Sequence, residues 1–269
     1  MKNKRAQVNR ILPASVGPER CALAMMTKAP RAGQVKTRLV PPLTHSEAAE
    51  LSLCLIRDTV ANMSQVAARV QVDLIAVYSP STAEKEYDEL LPGSFRILSQ
   101  STGPLGNRLF DTTCSLLSAG YAAVCLIGSD SPTLPTEFLQ KAIEALGQPG
   151  DRIVLGPADD GGYYLIGLKR PHRHLFEGIE WSTDRVLQQT IKCADEAGME
   201  VQPLPAWYDL DDPRTLARAC QELLSSNPNS GYPAPHTRDY LEHLIKAHGR
   251  EKIWPAGDTS NAPEDSPTR

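Results

Sequence analysis

Four stretches of this 269-residue chain hold side chains suited to phosphate and metal chemistry. The first, Lys28 to Leu39 (KAPRAGQVKTRL), places Lys28, Arg31, Lys36 and Arg38 within eleven residues. Ammonium and guanidinium groups supply the charge and donors that tetrahedral oxyanions need, so this stretch reads as a phosphate site or as a solvated basic loop. The second is Gly-Ser-Asp-Ser-Pro, residues 128 to 132, where Asp130 could hold a metal or a ribose or could cap the turn before Pro132. The third, GPADDGGY, carries Asp159, Asp160, Gly161 and Gly162, and the fourth, WYDLDDP, carries Asp209, Asp211 and Asp212.

Two other chemistries are weaker. Gly33 to Thr37 has the look of a Walker P-loop, but Val35 precedes Lys36 and the upstream glycine is missing, which excludes that motif. His172 and His174 stand beside Pro171 with no further Cys or His at ligand spacing, which argues against zinc.

The elements that would position the four stretches follow from pattern. Val124 to Gly128 is a short apolar run ending in a turn, as expected of a strand buried on both faces. Cys21 to Met26, Val72 to Tyr78, Phe95 to Leu98, Ile153 to Leu155, the apolar run Tyr164 to Leu168, and Met199 to Leu204 complete the strand candidates. Thr44-His-Ser-Glu47 is a capping box that opens a helix to about Val66. Further helices are predicted over Ser81 to Leu91, from Gly106 to about Leu117, from Pro135-Thr136 to Gly147, and from Asp184, capped by Ser182-Thr183, to about Ala197. Asp212 as N-cap with Pro213 at N1 opens another to about Leu224, and Arg238 to His248 could form one more. No repeat of 20 to 50 residues is present.

Alternation of strands with helices predicts a mostly parallel sheet covered on both faces. In such sheets the strands' carboxyl ends line a crevice, so the acidic loops and the basic loop should meet at one edge. Carboxylates with cations there describe a site for a nucleotide phosphate and Mg²⁺, which takes hard oxygen ligands and keeps waters. Gly103 in Gly-Pro-Leu-Gly either lets a ligand approach the backbone or makes a turn.

Composition is that of an ordinary folded domain, 41% hydrophobic and 22% charged. A net charge of −4 offers no basic field for nucleic acid. Six cysteines without a C-x-x-C pair, three of them in apolar runs, suggest a reducing cytoplasm. No apolar h-region of a signal peptide follows the basic start, and no run reaches the ~18 apolar residues of a membrane span. Residues 1–20 read as a flexible arm, 21–225 as the working domain, and 226–269 as a linker, a short helix and a disordered tail.

KAPRAGQVKTRL, GSDSPTL, GPADDGGYYLIGL, IEWSTDRV and YDLDDPRTL, in this order, resemble the GT-A-fold transferases associated with radical-SAM and selenium-domain proteins, some of them arsenosugar-biosynthesis glycosyltransferases. More distantly, residues 21–225 resemble 2-phospholactate and molybdenum-cofactor guanylyltransferases. The resemblance implies a three-layer α/β/α GT-A fold and a Mg²⁺ or Mn²⁺ cofactor. It also implies a nucleotide or nucleotide-sugar donor and a small-molecule acceptor. Asp130, Lys36 and Asp160 would carry the chemistry. Lys28, Lys36, Arg38, Gly103, Gly161 and Gly162 would bind the nucleotide, and Asp130 and Asp211 the metal. Trp181 would pack on an acceptor or in the core. The glycine-rich base-binding turn of many nucleotidyl transferases is replaced here by Met25-Met26-Thr27, so the base stays open. Glycosyl transfer from a nucleoside-diphosphate sugar is the leading expectation, nucleotidyl transfer to a phosphorylated acceptor the alternative, and a noncatalytic nucleotide-binding module a third.

Overall fold

Short runs, apolar in all but the edge strand Glu-Val-Gln-Pro, form the seven strands of one sheet. They are β1 (Cys21–Lys28), β2 (Val72–Ser79), β3 (Phe95–Ser99), β4 (Ala123–Gly128), β5 (Arg152–Pro157), β6 (Tyr163–Leu168) and β7 (Glu200–Pro203), in the order β3-β2-β1-β4-β6-β5-β7. This computed structural model describes residues 19–225 and 231–254. The expectations for most of the N-terminal arm, for linker residues 226–230 and for the tail from 255 lie outside the described residues.

Every pairing is parallel except those of β6, which runs antiparallel to β4 and β5. Only the short turn 158–162 joins β5 to β6, and a connection of that length cannot cross over to a parallel neighbour. The turn therefore lies at the carboxyl end of β5, the same edge as the carboxyl ends of β1 and β4.

Helices cover both faces: α1 (His45–Ala67), α2 (Glu84–Leu90), α3 (Leu105–Ser118), α4 (Thr136–Gly147), α5 (Val186–Glu196), α6 (Pro213–Leu224), α7 (Pro235–His248) and α8 (Arg250–Ile253). Successive residues of a strand face opposite ways. Leu23 and Met25 of β1 join a core built with α1, α2 and α4, while Ala22 and Ala24 face a second one built with α3 and α5. A third cluster joins Leu51 and Leu55 of α1 to α6, α7 and α8. The result is the three-layer, mostly parallel α/β sheet expected.

Three helix starts differ from expectation. α2 begins at Glu84, because Ser81–Ala83 before it form a separate 3-10 turn. α5 begins at Val186, because Ser182 takes a left-handed φ of 66° and Thr183 bonds within the loop, donating to Glu180 O at 2.7 Å and accepting from Arg185 N at 3.3 Å. α7 begins at Pro235 rather than Arg238. Its first free amides, His236 N and Thr237 N, donate to the buried carboxylate of Asp58 on α1 at 3.1 and 2.7 Å.

Candidate active site

The loop after β1 turns through Gly33, whose φ is 75°, and Lys28 closes it by donating to Gln34 O at 2.8 Å. Arg31 leaves the site and pairs with Glu86 of α2 at 2.5 Å. Lys36 itself sits in the left-handed region, φ 48° and ψ 36°, a conformation unfavourable for a side chain with a Cβ. Its ammonium reaches Asp130 Oδ1 at 2.6 Å and Asp211 Oδ1 at 2.7 Å, and only 6% of the side chain is exposed. Arg38 follows, exposed, while Leu39 beside it anchors the turn in the third cluster.

Backbone pairing brings the two acids together. Leu210 N donates to Asp130 O at 2.8 Å, tying the loop after β7 to the end of β4. Leu210 is fully buried between Asp209 and Asp211, and the acids on either side of it both line the cleft. Ser131 Oγ donates to Asp209, and Asp209, Asp130 and Asp211 line the same cleft.

Electrostatics follow from this crowding. Burial pushes the Asp209 carboxyl up, to about 7, with the nearby charges of Asp130 and Asp211 adding to it against the Ser131 hydrogen bond and Lys36. For Lys36 burial disfavours the charge, but Asp130 and Asp211 outweigh it and the ammonium is held up at about 12. Lys36 is therefore a fixed cation between two carboxylates.

The cleft, about 620 Å³, is of a size that takes a nucleotide-sized ligand. Of the residues expected to act, Lys28, Lys36, Arg38, Asp130, Asp160, Gly162 and Asp211 line it. Asp160 is exposed, and its Oδ1 accepts from Gly162 N at 2.9 Å. Gly103 and Gly161 are not among the lining residues. Gly103 forms the turn before α3 with φ 113°. Gly161 has φ 87°, and a Cβ on it would lie 2.2 Å from Asp184 O, so its missing side chain makes room for the chain's own backbone. Asp159 is drawn aside to Arg218 at 2.5 Å, and Asp212 is the α6 cap, accepting from Thr215 N at 2.8 Å. Trp181 is half-buried and lines the cleft, meeting Tyr163 edge to face at 6.4 Å.

Sequence reasoning grouped Asp209 with the acidic loops without giving it a role and passed over Arg108, and both line the cleft. The alternating Asp-Leu-Asp could have marked Asp209 as the partner of Asp211. Arg108 had no such signal, being one cation on an amphipathic helix.

The donor set suits a divalent metal. Asp130 and Asp211 converge on one cation and each keeps a second oxygen, and their side chains remain 41% and 40% exposed. Among the described residues no group of three or more His, Cys, Asp or Glu forms a closed metal cage. One or two carboxylates completed by waters and substrate phosphates is how Mg²⁺ is usually held.

A model of a family described as an uncharacterized protein conserved in bacteria (DUF2064) matches residues 60–183. A crystal structure from Desulfovibrio desulfuricans G20, named "putative nucleotide-diphospho-sugar transferase", is 30% identical with a TM-score of 0.71, the match covering 86% of this chain and 98% of that one. The chain belongs to this DUF2064 family. Beyond the family, a cytidylyltransferase from Leptospira borgpetersenii matches at 10% identity and a TM-score of 0.48, covering 89% of this chain and 98% of that one. A CMP:2-keto-3-deoxy-manno-octonic acid synthetase complexed with CTP matches at 8% and 0.46, covering 75% and 97%. At that distance neither bears on the chemistry of the DUF2064 protein. No curated protein sequence matches the chain.

Proposed function

We propose that this DUF2064 protein is a metal-dependent transferase that moves a glycosyl group from a nucleoside-diphosphate sugar to a small-molecule acceptor. The observation that carries this reading is the junction of Lys36, Asp130 and Asp211 at 2.6 and 2.7 Å on the floor of a nucleotide-sized cleft. The Desulfovibrio relative's name supports the sugar-nucleotide class. The narrower arsenosugar assignment rests on motif resemblance alone.

Asp130 and Asp211 would hold Mg²⁺ or Mn²⁺, which when bound supplies Lewis-acid stabilisation of a departing diphosphate. Lys28, Lys36 and Arg38 bind the phosphate oxygens and share the charge that grows as the bond from the sugar's anomeric carbon to the diphosphate breaks. Asp160 Oδ1 is engaged by Gly162 N. Its other oxygen accepts the proton of the attacking acceptor hydroxyl.

One observation favours a second reading, nucleotidyl transfer to a phosphorylated acceptor. Three cations of a single loop line the cleft, as attack at an α-phosphate with loss of pyrophosphate requires. Product analysis separates the two: with sugar nucleotides and NTPs supplied alongside candidate acceptors, nucleoside diphosphate release supports glycosyl transfer and pyrophosphate release nucleotidyl transfer. In either case D130A should lower turnover by about 100-fold or more with little change in melting temperature. A large loss of folding in D130A would assign Asp130 to the turn instead.

A further inference from the structure

The cations of the first loop are satisfied or solvated, but a fourth cation in the cleft has no counter-ion among the described residues. Arg108, in the first turn of α3, lines the cleft, and its Nη1 donates to Gln100 Oε1 at 2.8 Å. Gln100 is itself locked, its Nε2 donating to Thr27 O at 2.9 Å and Val77 O at 2.8 Å, the ends of β1 and β2. Arg108 Nε is buried without a hydrogen-bond partner, and no carboxylate of the described residues pairs with the guanidinium. A preorganised, half-buried guanidinium without a counter-ion is unfavourable in the free protein. It becomes favourable when a carboxylate or phosphate arrives.

The surroundings define the rest of the ligand. Leu105 is the exposed large hydrophobic of the described residues, at 36%, and it lines the cleft. Gly106 brings Trp181 against the same turn, because a Cβ there would lie 2.7 Å from Trp181 Nε1. We propose that Arg108, Leu105 and Trp181 form a subsite for the acceptor, binding a phosphate or carboxylate on Arg108 and a ring or short carbon chain on Leu105 and Trp181. The inference rests on the transfer reading above, since it names the second substrate's class for that same cleft.

The test titrates inorganic phosphate into the full chain while tryptophan emission is followed, with W181F as the blank. The expected result is a saturable change that weakens at least tenfold in R108M, stays within twofold in K192M, whose exposed side chain on α5 is not among the cleft-lining residues, and persists with saturating Mg²⁺ and nucleotide. A response that survives R108M overturns the subsite. A response abolished by bound nucleotide assigns the anion to the donor and overturns the acceptor role. If R108M does not fold, L105E changes an exposed position and sets a carboxylate beside the site. An undiminished phosphate response in L105E then overturns the proposal. A phosphate response dependent on Arg108, with no Mg²⁺-nucleotide bound at any concentration, supports the subsite while sinking the transfer reading.

Discussion

Single residues in this protein carry roles that their neighbours in sequence do not announce. Asp159 and Asp160 are adjacent, yet the first pairs with Arg218 on the surface of α6 and the second lines the cleft. Asp211 and Asp212 divide in the same way, one bridging to Lys36 and the other capping α6. Gly161 is the sharpest case. Its φ of 87° and the Asp184 backbone, 2.2 Å from where a Cβ would stand, both exclude a side chain. G161A should cost about 3 kcal/mol through left-handed strain and the clash together. Urea denaturation checks this, and a loss below about 1 kcal/mol would show that the 182–186 loop yields easily.

At the scale of elements, the joint between α1 and α7 is built on one buried carboxylate. Asp58 is fully buried, and burial pushes its carboxyl up although bonds from Thr237 and His236 favour the charged form. Those bonds satisfy amides that the start of a helix leaves free, doing from another helix what an N-cap side chain does locally. D58A should cost about 2 kcal/mol. Hydrogen exchange should show α7 amides losing protection well before those of β4. Equal loss in both elements would mean that Asp58 supports the whole core rather than one helix.

Across the whole molecule, the chain after the central sheet folds back onto its beginning. His248 at the end of α7 bonds to Glu47 in the first turn of α1, 201 residues earlier. Burial pushes the Glu47 carboxyl up, but bonds from Thr44 and His248 outweigh it and bring the carboxyl from its ordinary 4.5 down to about 2. A carboxyl lowered on folding stabilises the protein above its unfolded value and loses that contribution as pH falls through the folded one. Stability should therefore decline between pH 4.5 and about 2. The decline should be shallower in E47Q, whose amide keeps most of the capping geometry. Urea midpoints at mildly acidic and strongly acidic pH check this, and identical slopes in the two proteins would remove Glu47 from the account.

Much of the architecture was legible in the residues because its causes are local. Apolar runs bounded by turns marked the strands, Thr44 with Glu47 and Asp212 with Pro213 marked helix starts, and a strand-helix alternation implied the parallel sheet. The reversal of β6 has a local cause, the short turn 158–162, whereas the late start of α5 combines the loop geometry at Ser182 and Thr183 with a bond from Leu187 N to Gly161 O, which no local window contains. The same holds for the site. Sequence alone determined that four loops of opposite charge exist and that strand ends could carry them. Only the tertiary structure decided that Lys36 meets Asp130 and Asp211 while Asp159, Asp212 and Arg31 turn elsewhere, and that Arg108 faces the cleft without a counter-ion. Propensity acts over a few neighbouring residues, whereas a charge finds its partner through strand order and loop pairing across 175 positions for Lys36 and Asp211 and 201 for Glu47 and His248.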